Sequence, residues 1–198
     1  MRLDAEDVRL RKAYARIVHE RRFPLQSTVR LESLIRSIPD FPLPGILFRD
    51  ITPLLKDAHG FKATIDLFTD RFAQEKIDLV VGIEARGYML AAPLAYRLGA
   101  GFVPVRKPGK LPGKKHTEEY ALEYGTNSLE IHEDACGKGN RVLVVDDLLA
   151  TGGTAAAAGR LLERIGADVV GYAFLIELAF LNGRKNLPDG KITSFITY

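Results

Sequence analysis

The chain is poor in features that would staple or anchor it. Its one cysteine, Cys136, has no second cysteine to pair with. That excludes a disulfide and points to a reducing, cytoplasmic compartment. The polar surroundings of Cys136 in DACGKGN do not suit a catalytic thiol. No run approaches the roughly 20 apolar residues of a membrane span, so no membrane partner is expected. GxxxxGK[ST] and GxGxxG are both missing, which argues against a nucleoside triphosphatase and a dinucleotide oxidoreductase. The four histidines, His19, His59, His116 and His132, are too scattered for a metal site.

What is present suits one enzyme-sized domain: 198 residues, 46% hydrophobic and 27% charged, enough to enclose a core. The net charge of +3 is local. Residues 1–30 hold eight Lys or Arg against four Asp or Glu, leaving 20 against 21 in the remainder. The main domain is therefore not basic, and nucleic acid is not an expected partner. Residues 1–28 read as an amino-terminal helical extension, with Leu10, Tyr14, Ile17 and Val18 at helical spacing, and residues 29–198 as the domain proper. Its acids, Asp4, Glu6, Asp7 and Glu20, argue against a mitochondrial presequence.

Beyond Pro24 a short helix is predicted over VRLESLIRSIPDFP, stopped by Pro39 and Pro42. Helix and strand then alternate. Phe61, Ile65, Phe68 and Phe72 mark an amphipathic helix, followed by a buried strand from Ile77 to Ile83, a helix from Tyr88 to Leu98 and a strand from Gly101 to Val105. A strand at Val142, an alanine-rich helix, a strand from Asp168 to Leu178 and a last strand from Ile192 to Tyr198 complete the order. Such alternation predicts an α/β fold with a doubly wound parallel sheet.

VLVVDDLLATGGT, from Val142 to Thr154, carries most of the chemical information. The unalternating apolar run is that of a parallel strand covered on both faces, and open α/β sheets bind ligands at strand carboxyl ends. Gly152 and Gly153 let backbone approach a ligand, and the helix that follows offers free N–H groups and a positive dipole end to a phosphate. Asp146 and Asp147 are acceptors only, suited to sugar hydroxyls or a hydrated divalent cation. Together these elements suit a phosphorylated sugar, against the plainer alternative of a polar turn with solvated acids.

GIEARGYMLAAPLA, from Gly82 to Ala95, repeats the strand, turn and helix with a cation in the turn. Arg86 can grip a phosphate or pyrophosphate with two prongs, unless it forms a surface pair with Glu84. Arg106 to Ser128, RKPGKLPGKKHTEEYALEYGTNS, has five Lys or Arg in its first ten residues, and little of Lys107 to Thr117 looks buriable. It is either a solvated hairpin or a mobile basic lid. PLPGILFRDITPLL, from Pro42 to Leu55, taken alone is a core strand ending in an exposed Arg49 and Asp50.

FRDITPLLKD, GIEARG, RKPGKLPG, ALEYG and VVDDLLATGGT, in this order, resemble the purine type I phosphoribosyltransferases over about residues 29–198, with FRDI and LEYG pointing to adenine as the base. The resemblance implies a parallel sheet with a small hood and a flexible lid loop, a homodimer, and Mg2+ held mainly by substrate pyrophosphate and ribose hydroxyls. It implies transfer of phosphoribosyl from phosphoribosyl pyrophosphate to adenine, giving AMP and pyrophosphate. Asp146 and Asp147 match the acids on the ribose hydroxyls, and Ala150, Thr151, Gly152, Gly153 and Thr154 the 5′-phosphate loop. Arg86 matches a pyrophosphate ligand, Lys107 and Lys110 the basic loop, and Arg106 a residue that reaches a neighbouring subunit's site. Phe48 is similar to the ring stacked on the base, Leu47 and Arg49 to the backbone that reads its edge, and Leu178 to the residue closing the other face. Glu123 matches the proton-transfer residue, beside Tyr124. A cis peptide is implied between Glu84 and Ala85. Two rivals stay open: a phosphoribosyl-pyrophosphate sensor that binds nucleic acid, and the same reaction on another purine.

Overall fold

A computed structural model describes residues 31–121 and 126–198. The proposed amino-terminal extension, Glu123 and Tyr124 lie outside the described residues. The chain forms two compact units that divide between Asp70 and Arg71.

In the first unit, β1 (Arg36–Ile38) pairs antiparallel with β2 (Phe48–Asp50). Helices α1 (Thr52–Lys56) and α2 (Ala58–Phe72) follow. The helix expected across Val29 to Pro42 is thus too long: Leu31–Ser33 are helical, but residues 36–38 are strand. Arg36 explains the switch. Its guanidinium donates to Asp50 Oδ2 from Nε at 3.0 Å and Nη2 at 2.5 Å, so a cross-strand ion pair replaces helical continuation. Asp50 is buried and also accepts from the Thr52 N–H and hydroxyl. The exposed Arg49 and Asp50 pair is therefore not formed; Arg49 donates to Ser37 Oγ at 2.6 Å. In α2, Ile65, Phe68 and Phe72 are buried as their spacing predicts.

The second unit is built on a five-stranded sheet in the order β4-β3-β7-β8-β9, every pairing parallel. Its strands are β3 (Leu79–Ile83), β4 (Gly101–Val105), β7 (Arg141–Leu149), β8 (Asp168–Glu177) and β9 (Ile192–Thr197). Helix α3 (Arg86–Leu98) connects β3 to β4, and α4 (Gly153–Arg164) connects β7 to β8. Consecutive residues Val142 to Val145 are all buried, as a sheet covered on both faces requires. Strand β7 runs further than its apolar stretch suggests and carries both acids within it. Asp146 pairs with Phe174 and Leu148 with Ile176, so ladder hydrogen bonds override the change in side-chain polarity.

The basic segment is a ribbon of β5 (Lys115–Ala121) paired antiparallel with β6 (Thr126–His132). Tyr120, Leu129 and Ile131 join the core of this unit, and Leu111 is buried as well. Lys107 to Lys110, Pro112 and Gly113 are exposed. Glu118 ties the ribbon to α4, accepting from Arg160 Nε at 2.7 Å and Arg164 Nη2 at 2.5 Å. Cys136 is buried, and burial pushes its thiol up to about 11, the opposite of an activated nucleophile. Among the described residues no helix is long and apolar enough to cross a membrane.

Helix α4 lies close to the sheet because its inner face is small: Ala155, Ala157, Ala158 and Gly159 are buried. A Cβ built on Gly159 would stand 2.1 Å from the Tyr172 hydroxyl of β8. Alanine in a helix gains about 1 kcal/mol over glycine, whereas overpacking a rigid core costs about 1 to 3 kcal/mol. With Tyr172 itself buried, the clash should win. Gly159→Ala is expected to lower the melting temperature, and Gly159→Ala with Tyr172→Phe to recover part of the loss. A single variant as stable as wild type would refute this packing account.

Candidate active site

The parallel register of β3 and β7 sets Gly82 beside Val145. Glu84–Arg86, just beyond the end of β3, and Asp146–Asp147, within β7 beyond its paired stretch with β3, therefore lie at the same sheet edge. Helix α3 starts at Arg86, and its first turn is pressed against β7. A Cβ on Gly87 would lie 2.8 Å from the Val145 carbonyl and 2.9 Å from Asp146 Oδ1. Any side chain at Gly87 would push Arg86 away from the acids. The Glu84–Ala85 peptide is cis, as the resemblance implies.

Arg86 does not pair with Glu84. Its Nε lies 2.8 Å from Asp147 Oδ2. That is an ion pair by distance, but the N–H is not directed at the oxygen, and buried Oδ2 has no well-formed hydrogen bond. Charge attraction thus holds Asp147 while leaving that oxygen able to accept from a ligand. Asp146 Oδ1 accepts the Asp147 N–H at 2.9 Å. Burial first, and then the negative Asp147, push the Asp146 carboxyl well above the usual carboxylate range. Burial also raises Asp147, against the pull of Arg86. Adjacent acids with one nearby guanidinium form an electron-rich pair that ligand hydroxyl donors would stabilise.

Ala150 to Thr154 lead from β7 into α4. Gly152 has φ of +82° and stands at the helix N-cap with no side-chain cap, so the first N–H groups of α4 are available to an anion. Gly153 opens the helix, and the Thr154 hydroxyl donates to Tyr120 Oη at 3.3 Å. Leu178, half-buried, follows β8 and donates its N–H to the Leu149 carbonyl at 2.9 Å. Leu178 is thereby fixed beside the start of this loop.

Glu84 turns to the basic segment. It accepts from the Lys107 N–H at 2.9 Å and from Arg106 at 3.2 Å and 3.4 Å. Burial pulls its pKa upward, but these donors outweigh burial and hold it below its ordinary value. Arg106 also donates to the Lys110 carbonyl at 2.9 Å. Within the chain this guanidinium therefore serves its own loop, and Lys107 and Lys110 stay exposed beside it. The structure gathers Arg86, Asp146, Asp147, residues 150–154, Leu178 and, through Glu84, the Arg106–Lys110 segment in the second unit. Leu47, Phe48 and Arg49 belong to the first unit, where Leu47 is 47% exposed and Phe48 meets Phe41 edge-on at 5.1 Å.

Sequence reading missed three participants. Glu84 enters the sequence reading only as an alternative surface partner for Arg86 and as one side of the implied cis peptide, with no link to the basic segment. Gly87 gave no signal beyond its place in GIEARG. Asn186, which donates to the Thr151 carbonyl at 2.7 Å, lies 32 residues beyond the glycine loop's Thr154 and carried no motif at all.

Comparison with known proteins matches residues 52–195 to the phosphoribosyl transferase domain. The chain is 62% identical over 168 residues to the adenine phosphoribosyltransferase of Acaryochloris marina, covering 85% of this chain and 99% of that protein. It is 60% identical over 164 residues to that of Anaeromyxobacter dehalogenans, covering 83% and 95%. Among solved structures, adenine phosphoribosyltransferase from Thermoanaerobacter pseudethanolicus superposes with a TM-score of 0.84 at 54% identity, over 86% of this chain and 99% of that one. The Saccharomyces cerevisiae enzyme, complexed with an iminoaltritol bisphosphate and adenine, gives 0.81 at 41% identity over 86% and 98%. The domain match and the near-complete coverage of these relatives agree with the edge geometry: the chain belongs to the phosphoribosyl transferase family, in its adenine phosphoribosyltransferase branch.

Proposed function

We propose that the protein transfers the 5-phosphoribosyl group of phosphoribosyl pyrophosphate to adenine, yielding AMP and pyrophosphate in purine salvage. The observation that carries this reading is the single sheet edge at which a paired acid site, a guanidinium and an uncapped helix N-terminus meet. Each suits one part of the donor: Asp146 and Asp147 the ribose hydroxyls, Ala150 to Thr154 the 5′-phosphate, and Arg86 with Lys107 and Lys110 the pyrophosphate. Leu47, Phe48 and Arg49 would read and stack the base, with Leu178 on its other face. A homodimer in the cytoplasm, with residues 1–28 as an extension to a domain of residues 29–198, completes the proposal.

Breaking the bond from C1′ to pyrophosphate builds positive charge on the ribose and negative charge on the leaving group. Asp146 and Asp147 favour the first and Arg86 the second, in a site where both are already oriented. Among the described residues no group of three or more His, Cys, Asp or Glu could hold a metal ion. As the family resemblance implies, Mg2+ would be held mainly by pyrophosphate and ribose hydroxyls, with Asp146 and Asp147 suited to its bound water; when bound, it would neutralise charge on the leaving group. As adenine N9 bonds C1′, its ring proton must leave, and Glu123 beside Tyr124 is the proposed acceptor. Closure of the basic segment would keep water from the activated sugar.

Incubation with adenine, phosphoribosyl pyrophosphate and Mg2+ should yield AMP; no AMP, or faster conversion of hypoxanthine, would sink the assignment. Glu123→Ala should cut kcat by at least about a hundredfold, the scale of one proton-transfer group, while changing KM for phosphoribosyl pyrophosphate little. A loss confined to KM would remove that role.

The acid pair also fixes a pH dependence. Ligand hydroxyls bind the ionised acids, so KM for phosphoribosyl pyrophosphate should rise as pH falls through the raised pKa range of the pair, above the ordinary 3.8. Asp146→Asn should have a higher KM and lack that limb, with the substrate's own titration common to both proteins. A group whose folded pKa is raised contributes stability below its unfolded pKa, and that stability is lost as pH rises through the folded value. Ligand-free Asp146→Asn should therefore melt above wild type at neutral pH, and a lower melting point there would contradict the burial cost assigned to Asp146.

A further inference from the structure

Two short 3-10 turns, Ala179–Leu181 and Gly183–Asn186, follow β8. They lie outside every motif used above, yet they touch the phosphate loop at three of its residues. A Cβ on Gly183 would lie 2.1 Å from the Ala150 carbonyl, and one on Gly152 only 2.3 Å from the Gly183 carbonyl. The two backbones are thus in direct contact, and glycine is needed on both sides. Asn186 Nδ2 adds a hydrogen bond to the Thr151 carbonyl at 2.7 Å.

The turn is itself anchored. Buried Glu177, the last residue of β8, accepts from Arg184 at 2.7 Å to Oε1 and 2.6 Å to Oε2. Ser194 of β9 donates to Glu177 Oε2 at 2.5 Å and accepts from Arg184 Nη2 at 2.8 Å. A two-pronged, charge-assisted clamp on the central sheet therefore holds the turn that holds the loop. The direction of the Asn186 bond matters. It engages the carbonyl of the Thr151–Gly152 peptide, so the orientation of that peptide is fixed.

We propose that Asn186 and Gly183 are positioning residues for the 5′-phosphate, bracing Ala150–Gly152 so that the loop is formed before the ligand arrives. The inference rests on the reading of residues 150–154 as the phosphate loop. Without the brace, binding must order the loop, and that cost falls on every ligand bearing a 5′-phosphate and on none lacking it. Neither residue touches the reacting atoms, so turnover at saturation depends on them little.

Calorimetric titration of AMP and adenosine into wild type, Asn186→Ala, Gly183→Ala and the exposed control Lys185→Ala tests this, with KM and kcat alongside. Asn186→Ala should weaken AMP about five- to tenfold, the scale of one hydrogen bond, raise KM for phosphoribosyl pyrophosphate similarly, and leave kcat and adenosine affinity within about twofold. Gly183→Ala should weaken AMP further, and Lys185→Ala should match wild type. The phosphorus NMR shift of bound AMP should move in Asn186→Ala, a change that general destabilisation would not cause. If AMP and adenosine weaken alike, or if Asn186→Ala binds AMP as wild type does, the brace is disproved while the assigned reaction stands. If wild type itself binds AMP no better than adenosine, the phosphate-loop reading and the brace fall together, and AMP formation in the assay above still judges the reaction separately.

Discussion

The contact of the Asp147 carboxylate with Arg86, beside a second acid, is the constraint around which the sheet edge is organised. Two neighbouring carboxyls share one guanidinium, and burial raises both carboxyls above the ordinary range. Burying charge without full pairing is costly, and the fold tolerates it only because the groups are held from several directions. The β3–β7 register, the bare Gly87 and the continuation of β7 through the acids are all needed to keep them there. Such a site would be stabilised by hydroxyl donors, which suits it to the diol proposed for it.

The anion-binding half follows a different physical rule. The phosphate loop owes its polarity to backbone N–H groups at the start of α4 and to a positive φ at Gly152, with no charged side chain in Ala150 to Thr154. Its neutrality lets it sit a few residues from two acids without an internal salt bridge closing it. The guanidinium and lysines that suit pyrophosphate are kept on separate turns. Glu84 draws Arg106 and the Lys107 peptide toward the end of β3, so the cations are gathered by a carboxylate that is itself saturated with donors.

Much of this was legible in the chain because it is local. Apolar runs found β3, β4, β7, β8 and β9 and hence the parallel sheet, and DD followed by TGGT found the acids and the loop. Failures came where a distant partner decides the outcome. Residues 36–38 are strand because Arg36 meets Asp50, fourteen positions away. The segment after Arg106 contains a structured ribbon because Tyr120, Leu129 and Ile131 reach the core and Glu118 finds two arginines on α4. The alternative pairing of Arg86 with Glu84 gives way to Asp147, distant in sequence. Glu123 and Tyr124, legible only through resemblance, lie outside the described residues.

The residues proposed for the base and those proposed for the sugar phosphate belong to different units. Leu47, Phe48 and Arg49 sit on or beside β2, fixed by pairing with β1 and by buried Asp50, which gathers Arg36 and Thr52. The acids and the phosphate loop depend instead on β3, β7, β8 and α4. The segment proposed to choose the base is thus one that reads, by itself, as an ordinary core strand.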